Sequence, residues 1–68
     1  MRVSYRKLWK LIIDNGISKT ELRERTAIGK ATFTKLNKDE NVSMDVLMKI
    51  CMALKCDIGD IAEFIEGE

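Results

Sequence analysis

The stretch from Ser18 to Lys38, SKTELRERTAIGKATFTKLNK, constrains this chain more than any other. Ser18 with Glu21 makes S-x-x-E, the capping-box signature of a helix start. Leu22 follows one turn in, and the pattern breaks at Thr26-Ala27-Ile28. Gly29 then serves as a second N-cap, with Phe33 and Leu36 recurring at i, i+3. Apolar positions 22, 28, 33 and 36 let two short helices, near 18–26 and 29–37, share a small core at a steep angle. This is the layout of a helix-turn-helix at 18–37.

A helix-turn-helix places its second helix in a DNA major groove. The solvent side of that helix here offers Lys30, Ala31, Thr34, Lys35 and Lys38, none of them acidic. The net charge of the whole chain is only +1, but its distribution is lopsided. Residues 1–38 carry ten basic against three acidic side chains, a net of +7; residues 39–68 carry two against eight, a net of −6. Such a molecule presents one end to an anionic polymer and turns the other away. The bland alternative is a solvated face beside an acidic helix start. It is weakened because the basic half coincides with the helix-turn-helix.

The remaining elements read as helices. Tyr5 to Asn15 forms the first, with Leu8, Leu11 and Ile12 as its core stripe and Val3 and Tyr5 extending it. Trp9 lies at the edge of that stripe, placed to pack against the core or to stack on DNA sugar or a partner subunit. Gly16 suits the left-handed position that ends the helix. Ile17 precedes the Ser18 cap as one half of a hydrophobic staple. After the polar loop 37–41, Val42 returns to the core and Ser43 caps a fourth helix with Asp45 in its first turn. Val46, Leu47, Ile50, Cys51 and Leu54 form its apolar face, while Met44, Met48 and Met52 make a second stripe, either core or edge filler or an adaptable subunit contact. Asp57 caps a fifth helix with Ile58, Ile61, Ala62 and Ile65 inward and Phe64 outside the stripe. No alternating strand pattern stands out. With 68 residues and no proline, the expectation is one small all-α domain spanning residues 1–68, a five-helix bundle.

The same inventory excludes other chemistry. There is no histidine, and two cysteines are too few for a zinc site, so no metal or other cofactor is expected. Cys51 and Cys56 read as buried free thiols, with a disulfide or redox switch as the minor reading. No glycine-rich phosphate loop or cysteine in a catalytic setting supports an enzyme. No stretch approaches a membrane span and no signal peptide opens the chain, which points to the cytoplasm.

The chain resembles the Cro/repressor-type helix-turn-helix family of bacterial and phage regulators, through KLWKLIIDNGISKTELRERTAIGKATFTKL and VSMDVLMKICMALKCDIGDI. The second segment looks like a subgroup of single-domain regulators ending in C-D-I-G-D-I. The resemblance implies a five-helix, lambda-repressor-like fold, sequence-specific binding to double-stranded DNA and control of nearby genes. By position, it implies that Lys30, Ala31, Thr34 and Lys35 face base edges, and that Ser18, Lys19, Thr32, Asn37 and Lys38 meet phosphate. Two departures stand out. Ala27 occupies a turn position that is often glycine, and Arg23 stands where a small residue is common.

One recognition helix reads only a few base pairs, so a homodimer at a palindromic operator is the expected partner arrangement, with no membrane and no small-molecule ligand. With no effector domain in the sequence, the expected action is occupancy of an operator, as a repressor or an activator. A rival reading is an antitoxin-like or adaptor module that keeps this fold but binds protein. It draws on the acidic C-terminal half, the methionine stripe and Phe64.

Overall fold

The computed structural model describes residues 1–67. It contains four α-helices: α1 (Arg6–Asp14), α2 (Lys19–Thr26), α3 (Lys30–Asn37) and α4 (Met44–Leu54). Two three-residue strands, β1 (Arg2–Ser4) and β2 (Glu63–Ile65), flank them in sequence.

Each helix stops and starts where local chemistry directs. α1 closes on Gly16 at φ 69°, with Ile17 N–H donating to Ile12 C=O at 2.8 Å. This left-handed closure satisfies carbonyls that the helix leaves open. Ser18 Oγ then accepts from Glu21 N–H at 3.0 Å, so the serine half of the predicted capping box forms. Glu21 pairs instead with Arg25 one turn on, at 2.7 Å. Ser43 caps α4 in the same way, accepting from Val46 N–H at 3.3 Å.

The core is one cluster: Tyr5, Leu8 and Ile12 from the first helical segment, Leu22, Ile28, Phe33 and Leu36 from the helix-turn-helix, Leu47 and Ile50 from α4, and Ile61. α2 packs on both α1 and α4. Tyr5 ties the beginning of the chain to the loop after α3. Its N–H donates to Asp39 Oδ1 at 3.0 Å and its hydroxyl to Glu40 C=O at 2.8 Å. Burial pushes the Tyr5 phenol above its ordinary range, and nearby Asp39 adds to the shift.

The predicted fifth helix is absent. Asp57 does cap a turn with Asp60, whose carboxylate accepts from Asp57 N–H at 3.0 Å, but that turn is a single 3₁₀ helix, Ile58–Asp60. Ile61 buries fully, and the chain then extends into β2, antiparallel to β1, with Arg2 opposite Ile65, Val3 opposite Phe64 and Ser4 opposite Glu63. Gly59 disfavours a continuing helix by about 1 kcal/mol relative to alanine. Phe64 and Ile65 suit a strand, and β1 supplies the partner that satisfies their backbone. The expected five-helix bundle is therefore a four-helix fold closed by a strand pair. Glu63 lies within 4.0 Å of the Lys7 ammonium and 3.7 Å of the Arg6 guanidinium, holding β2 over the start of α1.

The methionine stripe also resolves. Met44, Met48 and Met52 are exposed, as are Ile58 and Phe64, so the stripe lies outside the core, at the edge of the bundle. Val42 and Ile17 are half-buried against the core, as their positions predict.

Candidate nucleic-acid interface

The turn between α2 and α3 fixes how the second helix is presented. Thr26 is buried and its hydroxyl donates to Leu22 C=O at 2.8 Å, closing α2. Ala27 then adopts the left-handed region at φ 56°, ψ 30°. Ile28 drops into the core, and Gly29 enters α3 from an extended conformation. The turn thus keeps the left-handed geometry that glycine serves most easily, with alanine carrying it.

On α3, Phe33 and Leu36 point inward and every other residue but Thr32 is exposed. Lys30, Thr34 and Asn37 share one stripe with spacing i, i+4, i+7, and together with Lys19, Thr20, Arg23 and the edge of Phe33 they line a groove of about 430 Å³ between α2 and α3. Ala31, Lys35 and Lys38 share the neighbouring exposed stripe at the same spacing. Thr32 is half-buried on the opposite flank, beside the Leu36 side of the helix, and does not line the groove. Ser18 stands at the mouth of α2, exposed, its oxygen committed to the cap while its O–H remains available to donate.

Lys19 is held from two sides. Its ammonium sits 4.2 Å from the Trp9 ring centroid, a cation–π contact, and donates to Asn37 Oδ1 at 2.9 Å. Trp9 in turn meets Phe33 edge-on with ring centroids 5.8 Å apart. A path of contacts therefore runs from α1 through Trp9 to Lys19 and on to α3. Periodicity places Trp9 at the edge of the core but does not reveal this support, because the partner comes from a helix with no role in the motif.

The groove lining contains no acidic residue. Among the described residues, no carboxylate lies within ion-pair distance of Lys19, Arg23, Lys30, Lys35 or Lys38. These cations are solvated and available to an anionic partner. Arg23 and Thr20 were not predicted as site residues. The spacing of Arg23 four residues after Lys19 was the signal for it, since i, i+4 residues share a helix face. Arg23 is half-buried, its stem along the groove wall. Thr34 has its hydroxyl proton committed to Lys30 C=O at 3.0 Å, so it offers outward a methyl and acceptor lone pairs.

Two helices packed through Leu22, Ile28, Phe33 and Leu36, a left-handed turn between them and a cationic outer face define a helix-turn-helix DNA-binding domain. The family model for the Cro/C1-type helix-turn-helix DNA-binding domain matches residues 7–67, and the chain belongs to that family. Among solved structures it is similar to the crystal structure of the transcriptional regulator VanUg, with 60% sequence identity and a TM-score of 0.90, over 91% of this chain and 83% of that one. No curated protein matches the chain. Among the described residues, no cluster of three or more histidine, cysteine, aspartate or glutamate side chains is arranged to hold a metal ion, and no helix is long and apolar enough to cross a membrane.

Proposed function

We propose that the chain is a sequence-specific transcriptional regulator that binds a palindromic operator in double-stranded DNA as a homodimer. The observation that carries this reading is the α2–α3 face: five cations, no acid in the groove, and a recognition helix with one exposed stripe lining the groove and a second exposed stripe beside it. Lys30 and Lys35 donate to guanine O6 or N7, and Ala31 meets a thymine methyl. Thr34 accepts from an exocyclic amine or packs its methyl, because its proton is already used. Ser18, Lys19, Asn37 and Lys38 contact phosphate, and Thr32 does so from the flank, where register is set without reading sequence. Lys19, pinned between Trp9 and Asn37, meets its phosphate already ordered and loses less side-chain entropy on binding.

The homodimer is supported by the exposed apolar side chains Met44, Met48, Ile58 and Phe64, on elements outside the helix-turn-helix. The same side chains favour the second reading, a protein-binding adaptor on this fold. Selection of bound duplexes from a random pool tests both. A palindrome with half-sites about one helical turn apart is expected, with affinity that falls steeply as salt rises. Recovery of no preferred sequence, with binding insensitive to salt, refutes the DNA reading and leaves the adaptor.

A further inference from the structure

The two cysteines lie away from the α2–α3 face. α4 ends because Lys55 turns left-handed at φ 54°, and Cys56 N–H then donates back to Cys51 C=O at 3.0 Å. This is the six-to-one bond of a Schellman closure, and that closure brings the side chains of its first and last residues into contact. In such closures the two are frequently apolar groups. Here both are thiols, free and half-buried, at the two ends of that backbone bond. They are reached from two sides. Cys51 lines an apolar groove of about 340 Å³ with Met44, Met48 and Ile58, while Cys56 opens onto a recess beside Lys7, Lys10 and Asp14. The closure itself needs only two small apolar side chains, so the thiol chemistry is surplus to the fold.

We propose that Cys51 and Cys56 form a dithiol modification site, which a small-molecule disulfide closes into an intramolecular disulfide bond across the end of α4. One protein thiol loses its proton to water and attacks a sulfur of the reagent, expelling one reagent thiolate and leaving a mixed disulfide. The second thiol, deprotonated in turn, attacks the protein sulfur of that mixed disulfide and expels the second reagent thiolate. Two protein thiols give up two electrons and two protons, and the reagent takes up both as two thiols. Because the closure holds the two residues at the ends of one backbone hydrogen bond, the second step is intramolecular and the mixed disulfide does not accumulate. Burial raises both thiols, Cys56 to about 11, with Asp57 and Asp60 pushing the same way, while Lys7, Lys10 and Lys55 line the recess beside Cys56. The first step is therefore slow at neutral pH and quickens as pH rises. The site shares no residue with the α2–α3 groove, so the inference stands independently of the DNA reading.

The test treats the reduced, dilute full chain with oxidised glutathione at mildly alkaline pH and follows intact mass. Wild-type protein is expected to lose two hydrogens and retain no glutathione, with peptide mapping placing the link between Cys51 and Cys56 and dithiothreitol reversing it. Cys51→Ser and Cys56→Ser are each expected to retain one glutathione. A wild-type product that retains glutathione on either or both cysteines, or that links two chains, overturns the proposal. Because the decisive reading is on the wild-type chain, misfolding of a serine variant does not obscure it.

Discussion

Ala27 sits at φ 56°, ψ 30°, exposed, at the end of α2. A non-glycine residue held in that region is strained by about 1–3 kcal/mol. Replacing it with glycine removes the strain but gives the unfolded chain more freedom to lose, at a cost of about 0.4–1 kcal/mol. The methyl group borders a shallow groove with Thr26, Lys49 and Met52, and its exposure makes that loss small. The balance is a gain of about 1 kcal/mol for Ala27→Gly, which for a domain of this size raises the melting midpoint by about 4–8 °C. Thermal melts and urea denaturation of the two proteins measure it directly. Gly16 provides the mirror experiment. It sits at φ 69° with open space where a Cβ would project, so Gly16→Ala introduces backbone strain and no clash, and the midpoint should fall. A lower midpoint for Ala27→Gly would refute the reasoning, because the unfolded-state entropy would then outweigh the strain assigned to the left-handed turn.

Asp39 is also left-handed, at φ 57°, but its carboxylate accepts from Tyr5 N–H and pairs with Arg2 at 3.6 Å. Asp39→Gly should therefore destabilise, since a hydrogen bond to a charged group contributes about 1.5–3 kcal/mol; a midpoint that rises by chemical denaturation would show that the bond to Tyr5 contributes little. Phe33→Ala or Leu36→Ala should each cost about 2–5 kcal/mol, close to the whole stability of so small a domain, and far-ultraviolet circular dichroism should show loss of helix; native spectra and unchanged melts for both would mean that the inner face of α3 is misassigned. Tyr5→Phe should cost about 1 kcal/mol through the lost bond to Glu40 C=O. Because the folded phenol titrates above its ordinary value of 10.0, the wild type keeps that stability below pH 10.0 and loses it as pH rises through the folded value; a wild-type alkaline stability profile parallel to that of Tyr5→Phe would contradict the burial. Lys30→Ala and Lys35→Ala should each weaken operator binding by about 1–3 kcal/mol and relax one base position, whereas Lys19→Ala should weaken all duplexes alike and lower the salt slope by about one; intact operator affinity for both Lys30→Ala and Lys35→Ala in fluorescence anisotropy would remove the base-reading assignment.

The helix-turn-helix was legible in the sequence because its signals are local. Ser18, Gly29 and Ser43 each start a helix at the predicted place, and the spacing of Phe33 and Leu36 gives the inner face of α3. The family resemblance marks Ala27 as a turn position often held by glycine but leaves the hand of the turn open; the structure makes it left-handed. The end of the chain was not. Ile58, Ile61, Ala62 and Ile65 fit a helical stripe, and nothing nearby in sequence signals that residues 63–65 pair instead with residues 2–4. β1 was equally hidden, since three residues before a helix carry too little alternation to register as a strand. Within the site, the groove stripe of Lys30, Thr34 and Asn37 follows from helical periodicity. The support that Trp9 gives Lys19 crosses between α1 and α2 and has no sequence signature of its own.

Pairing β1 with β2 sets an order of assembly. During synthesis α1, α2 and α3 are complete and able to collapse on one another while β1 still has no strand to pair with, because its partner is made after all of them. The sheet therefore closes a loop that spans almost all of the described residues, and loop closure of that span is the slow, entropically costly kind. A nascent chain should hold its helix-turn-helix before its ends are fastened. Pulse-labelled amide exchange during refolding would then show protection at Leu22 and Leu36 ahead of protection at the strand residues Val3 and Phe64.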